Sequence, residues 1–430
     1  MLKAGFSRVD ITPPLGTDIQ GYFFHRYATG VLDPLYLNAV AFSDRDTTAV
    51  IISADIIMIM MTYCDEIREY ISEKTGIDKN NIMICCLHQH TSFGVRNPND
   101  NNIMENKGYL DFLWSRFADV CKMAMDDMSD ATLLTGEEEV EEKISFIRRY
   151  VMKSGAIETN PQGRYLEVER PYRKADNTVR VCRFKREGKN DIALINFSTH
   201  ADVVHGEKFS ADWPGFARNF VEKNIENVSC MLTVGAQGDS NHADFTIPQY
   251  KDGYEHSRHM GEVIAKSVMS VWNKTKEESD TKIQTGITLI FNKTRTDGID
   301  AYEEAKEFLD YSKKNDLTGG EHITKLGNAA RIVKLRNATI FQKVPITVVN
   351  LGRVGFVGFG GEPFTEYVDK IREAAPDRYI IASCCTNGGE GYLPTKEAFE
   401  EGGYEAGSSP FSPELEEQCV KAALELLKKH

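Results

Sequence analysis

Short apolar runs bounded by polar or turn residues recur at positions 49–57, 82–87, 192–198, 230–234, 346–359 and 378–383. Runs of this kind predict buried strands. Elsewhere apolar residues return at helical spacing over 63–74, 109–128, 214–223, 256–274, 301–314, 365–374 and 413–429, which predicts helices burying one face. In the last of these Ser412 can cap, Pro413 suits the first helical position and Glu414 meets the positive end of the dipole. Leu415 occupies the place where a capping box needs Glu or Gln. Strands mixed with helices predict an α/β fold: mixed β-sheets layered with helices, the active site in loops at strand ends. The stretches 137–180 and 276–343 are polar or charged, and the second reads as a helical insertion. Neither has linker composition and no repeat is visible, so residues 1–430 are expected to form a single domain.

Composition narrows the class. Of 430 residues, 41% are hydrophobic and 27% charged, enough to bury a core without disulfides. The net charge of -13, from 51 basic and 64 acidic residues, argues against a general nucleic-acid or anionic-membrane binder, since both require a cationic surface. Nine cysteines without a CxxC pair read as buried free thiols in a reducing compartment. The N-terminus has no long apolar segment, and the run 49–61 is interrupted by Asp55 and too short for a bilayer. A cytoplasmic protein without a transmembrane segment is expected.

Polar clusters follow the apolar runs, where a rigid sheet can hold a loop. Leu87-His88-Gln89-His90-Thr91-Ser92 places two histidines at i and i+2, on one side of an extended backbone. Imidazole is a common zinc ligand, and a neighbouring histidine can move protons. Asn196-Phe197-Ser198-Thr199-His200 again runs a strand into a histidine. In Val234 to His242, Asp239, Ser240 and His242 suggest a hydrolase triad, but without a GxSxG elbow a turn explains the cluster more simply. Glu362 follows a strand in a glycine turn, and Tyr392 and Tyr404 stand in later glycine-rich segments.

Taken in order, these clusters resemble the catalytic domain of the neutral, non-lysosomal ceramidases. The likeness starts at Ala4-Gly5-Phe6-Ser7-Arg8-Val9-Asp10-Ile11-Thr12-Pro13-Pro14. It continues through Ser53-Ala54-Asp55, the HxH of His88 and His90, the segment ending at His200, Ser210-Ala211-Asp212-Trp213-Pro214-Gly215, Gly238-Asp239 and Gly361-Glu362. The resemblance implies a zinc (Zn2+) site held by His88, His200, Glu362 and Tyr392. It also implies that His90, Arg148 and Tyr404 face the substrate; in the zinc-hydroxide chemistry such a site supports, His90 is expected to return a proton to the leaving amine. Asn241 stands where that family has a serine, Thr91-Ser92-Phe93-Gly94 alters the pocket wall, and a chain ending with the helix through Lys429 leaves no room for an immunoglobulin-like C-terminal domain. The expected function is therefore zinc-dependent hydrolysis of an amide (N-acyl) bond in a small-molecule or lipid-like substrate. An esterase or lactonase acting on a small soluble substrate, and a non-catalytic ligand-binding relative, stay open beside it. So do the oligomeric state and any part played by Ser240.

Overall fold

The computed structural model describes residues 1–96, 106–315, 317 and 322–428. Strands β1 (Lys3–Asp10), β2 (Tyr36–Ser43), β3 (Thr48–Ala54), β4 (Ile82–Cys86), β5 (Ser129–Glu139), β6 (Thr178–Arg186), β7 (Asp191–Phe197) and β8 (Val228–Val234) share one sheet. Their order is β8-β7-β6-β5-β1-β2-β3-β4, with the short strand Lys276–Glu277 beside β5. A second sheet holds β9 (Ile283–Lys293), β10 (Phe341–Leu351), β11 (Val354–Phe359) and β12 (Tyr379–Ser383), in that order. Three pairs are parallel: β3 with β4, β7 with β8 and β11 with β12.

Alternation along the strands explains the layering, because successive side chains leave a strand on opposite faces. Ile82, Ile84 and Cys86 of β4 enter one core, with Ala193, Ile195 and Phe197 of β7. Against that face pack α1 (Met61–Thr75), α2 (Lys107–Asp126), α3 (Asp212–Asn224) and α4 (Tyr254–Trp272), through side chains such as Ile67, Phe117, Trp213 and Ile264. Met83 and Cys85 point the other way and meet Val354, Phe356 and Ile381 of the second sheet. The far side of that sheet, Val357 and Phe359 included, is covered by α7 (Thr365–Ala374) and α8 (Leu415–Leu427). Strands β3, β4, β7 and β8 are thus buried on both faces, which is why they read as unbroken apolar runs.

The α/β expectation holds, with local corrections. The run 346–359 is a hairpin, not one strand: Leu351 pairs with Val354 across a turn in which Gly352 has φ 56°, a left-handed value suited to a two-residue hairpin turn. The stretch 276–343 is only partly helical. It supplies β9 before α5 (Tyr302–Lys314) and α6 (Ile323–Leu335); β9 is an edge strand with polar residues on its open side, which hides its period. Helix α8 starts at Leu415 instead of Pro413, because the Ser412 amide and hydroxyl bond to Asn292 Oδ1, at 2.8 and 3.2 Å. Lys429, expected in that helix, lies outside the described residues. All nine cysteines are buried and free, and among the described residues no helix is long and apolar enough to cross a membrane.

One ion-pair cluster ties the two halves together. Asp176 Oδ2 accepts from Arg180 of β6 at 2.9 Å and from Arg372 of α7 at 3.0 Å. Burial pushes the Asp176 carboxyl up, but the two guanidiniums outweigh it and bring it to about 2. A carboxyl held below its unfolded value stabilises the fold above the unfolded value and loses that contribution as pH falls through the folded one. Asp176→Asn should therefore cost about 2 kcal/mol at neutral pH, and the gap from wild type should close between about pH 4 and pH 2 in urea unfolding curves.

Candidate metal centre

The loops after β4, β7, β11 and β12 carry His88 and His90, His200, Glu362 and Tyr392. All four strands belong to parallel pairs, so their carboxyl ends open onto a common crevice, as in other open α/β sheets. The first two loops are joined where the His90 amide donates to Ala201 O at 2.9 Å. On the other sheet the Glu362 amide donates to Gly391 O, and Glu362 and Tyr392 are register partners in a short parallel ladder. The two sheets meet through Asn387, whose Oδ1 accepts from the Ile84 amide at 3.0 Å.

Three imidazoles and one carboxylate converge there. His88, His90 and His200 each offer a ring nitrogen, all within 4.8 Å of one another. Glu362 Oε2 stands 3.4 Å from His88 Nε2 and 3.2 Å from His200 Nε2. His88 Nδ1 lies 2.8 Å from Ile57 O, and His200 Nδ1 lies 2.9 Å from Gln237 O. A carbonyl only accepts, so each Nδ1 carries a hydrogen, and in the neutral ring Nε2 keeps the inward lone pair. His90 differs: neither of its buried nitrogens has a hydrogen-bond partner, and its Nδ1 is 3.6 Å from Asp202 Oδ1. Its convergence with His88 does not come from extended backbone, because His88 has φ 62°.

The electrostatics follow from burial. Dehydration pushes the Glu362 carboxyl up, but the neighbouring His88 and His200 rings prevail and hold it at about 2. Burial pulls His88 down, and the Glu362 carboxylate outweighs that and raises it to about 9. Burial and neighbouring positive charge lower both His90 and His200. The resting site is thus one carboxylate, one imidazolium and two neutral imidazoles. His200 Nε2 and Glu362 Oε2 are buried without a hydrogen-bond partner. Two donors roughly 2.1 Å from a tetrahedral ion lie about 3.4 Å apart, so this donor set fits a zinc-sized dication.

Tyr392 and Tyr404 line the adjoining cavity of about 320 Å³ with His88, His90 and Glu362; their rings are 5.5 Å apart. Arg148 stands behind them, 5.1 Å from the Tyr392 ring, with Nη2 on Gly238 O at 2.8 Å and Nε 2.6 Å from Glu405. The adjacent Arg149 points to Glu401, so only the first arginine of the pair serves the site. The triad suggested by the third cluster does not assemble. Asp239 takes the Thr365 amide and hydroxyl, Ser240 offers its carbonyl to His200 Nδ1, and His242 pairs with Asp252.

The supports are less visible in the sequence. Asp55 receives both Arg218 nitrogens at 2.8 and 2.7 Å and Gln89 Nε2 at 2.9 Å, and so fixes the residue between the two histidines. Trp213 Nε1 donates to His200 O at 3.1 Å, and Arg26 Nη2 to His90 O at 2.7 Å. Glu405, the counter-ion of Arg148, is signalled only by its place beside Tyr404.

Residues 2–326 match the family model for neutral/alkaline non-lysosomal ceramidase, N-terminal. The chain is a member of that ceramidase family. Among solved structures, the neutral ceramidase from Pseudomonas aeruginosa has the same fold, with TM-score 0.72 and 15% identity over 99% of this chain and 74% of that one. A ceramidase complexed with C2 matches with TM-score 0.72 and 14% identity over the same shares. No curated protein sequence matches significantly. Within the ceramidase family match lie His88, His90, Arg148 and His200, whereas Glu362, Tyr392 and Tyr404 follow it and reach the crevice through the second sheet.

Because Asp55 and Arg218 are both fully buried, removing one partner leaves the other charge unpaired. Asp55→Ala should cost about 3–5 kcal/mol of stability in denaturant unfolding. A loss well under 1 kcal/mol would contradict this role.

Proposed function

We propose that the chain is a zinc-dependent hydrolase that cleaves an amide (N-acyl) bond. One observation carries the reading: His88 Nε2, His200 Nε2 and Glu362 Oε2 turn toward one buried point, and backbone carbonyls fix both imidazole tautomers. These three residues would hold the ion, with Tyr392 as the fourth donor. When bound, zinc supplies a Lewis acid that makes water a nucleophile near neutral pH.

The chain's own residues account for the remaining work. His90, neutral and unbonded at either nitrogen, takes a proton from the attacking water and returns it to the departing amine. Tyr404 donates its hydroxyl to the carbonyl oxygen as charge develops there. Arg148 supports this from behind: its positive charge opposes the upward push of burial on both tyrosines and makes their hydroxyls better donors. The Arg148–Glu405 pair keeps that guanidinium in place.

Family membership supports a ceramide-type amide, and the shared fold of a ceramidase complexed with C2 supports a lipid-like substrate. The modest cavity, with Arg331 and Lys334 in its wall, favours a small soluble N-acyl compound and keeps an ester or lactone as the second reading. Nine unpaired buried cysteines support a reducing compartment, the cytoplasm.

Elemental analysis should find zinc in the wild type and its loss in His88→Ala; full occupancy in the variant would refute the ligand assignment. Amide, ester and lactone panels run with chelator and with added zinc identify the bond. Turnover abolished by chelation and restored by zinc is the expected result, fastest on amides. Stoichiometric zinc with no turnover on any panel would instead make the chain a binding protein.

A further inference from the structure

The cavity beside the candidate centre carries more positive charge than its chemistry requires. Its wall includes Arg96, Arg331 and Lys334, and among the described residues Glu362 is the only carboxylate lining it. In a protein of net charge -13 such a lining runs against the general trend of the surface. Much of it comes from α6, whose Gly327, Ala330, Arg331 and Lys334 face the cavity at the i, i+3, i+4, i+7 spacing of one helical face. Gly327 permits this placement, because a Cβ there would come within 2.9 Å of the Tyr404 ring.

Arg331 is the least conventional member. It is 3% exposed. Its Nε donates to Gly407 O at 2.9 Å, and its Nη2 reaches Asn328 Oδ1 at 2.8 Å and Asp297 O at 3.0 Å. Its Nη1 is buried with no acceptor. The counter-charge is thin: Asp297 Oδ2 lies 3.4 Å away, is largely exposed, and is shared with Arg295. Arg96 faces Asp18. Lys334 is exposed and acts at a distance on Glu390, whose carboxyl burial pushes up. A buried guanidinium nitrogen without an acceptor is costly unless a ligand supplies one.

We propose that Arg331 and Lys334 form an anion subsite beside Tyr404, and that the substrate is an N-acyl amide bearing a carboxylate or a phosphate. The anion subsite stands on the cavity itself, while the amide rests on the hydrolase reading above. Both Arg331 and Lys334 lie beyond residue 326, where the family match ends.

The test compares N-octanoylglycine, N-octanoyl phosphoethanolamine and the uncharged N-octanoylethanolamine as substrates of the zinc-loaded chain. At least one anionic amide should exceed the neutral one by about tenfold or more in kcat/KM, and the better anion identifies the group. Lys334→Glu, at an exposed position, should collapse or invert that ratio. Calorimetry with N-octanoylglycine on zinc-free protein reads the subsite without turnover, and binding should weaken with salt and in Lys334→Glu. Turnover with the neutral amide preferred would overturn the subsite and leave the hydrolase standing. Salt-sensitive anion binding with no turnover of any amide would do the reverse.

Discussion

A carboxylate buried among imidazoles at the seam of two sheets is the constraint around which the rest is arranged. In a dry environment Glu362 stays ionised only if positive charge remains beside it, and in the protein alone that charge is the His88 proton. A dication serves the same need with more donors satisfied, since it also uses the lone pair of His200. The metal proposed for this site therefore follows from burial as much as from ligand type. The same burial keeps His90 neutral and so able to accept a proton.

Holding four side chains from two sheets at such separations requires rigid supports, and these are themselves polar and buried. Asp55 with Arg218 fixes the HxH loop, Trp213 holds the His200 carbonyl, and Asp239 anchors the segment just after Glu362. Buried ion pairs add little net stability compared with apolar packing. Their contribution here is positional: each loop is tied to a neighbouring strand or helix, so the donors do not need to reorganise when a ligand arrives. The hydrophobic layers on both sides supply the stability on which these polar contacts depend.

The cavity wall shows how one catalytic frame can take different substrates. In the proposed reaction strand-end residues perform the chemistry, whereas α6 and the loop around Tyr22 and Phe23 form the surroundings. Helix α6 packs on the short helix carrying Tyr404 through Gly327 and Arg331, so a change in its exposed face alters the lining without moving a donor. Specificity and reaction type thus rest on different elements of the fold.

Much of this was legible in the chain itself. Unbroken apolar runs marked strands β3, β4, β7, β8, β11 and β12, because burial on both faces suppresses the polar alternation of an exposed sheet. Polar clusters just beyond them marked the candidate centre, since strand ends are where a rigid sheet can hold loops. The edge strand β9 was not legible: its partly exposed positions carry mixed residues with a weak period. Nor could spacing predict the left-handed backbone of His88, the separation of Arg148 from Arg149, or the partners of Asp55, all of which depend on contacts between segments remote in sequence. Local pattern determined which residues were available for chemistry. The packing of one sheet against the other decided which of them meet, because convergence is a property of three-dimensional distance that no one-dimensional spacing encodes.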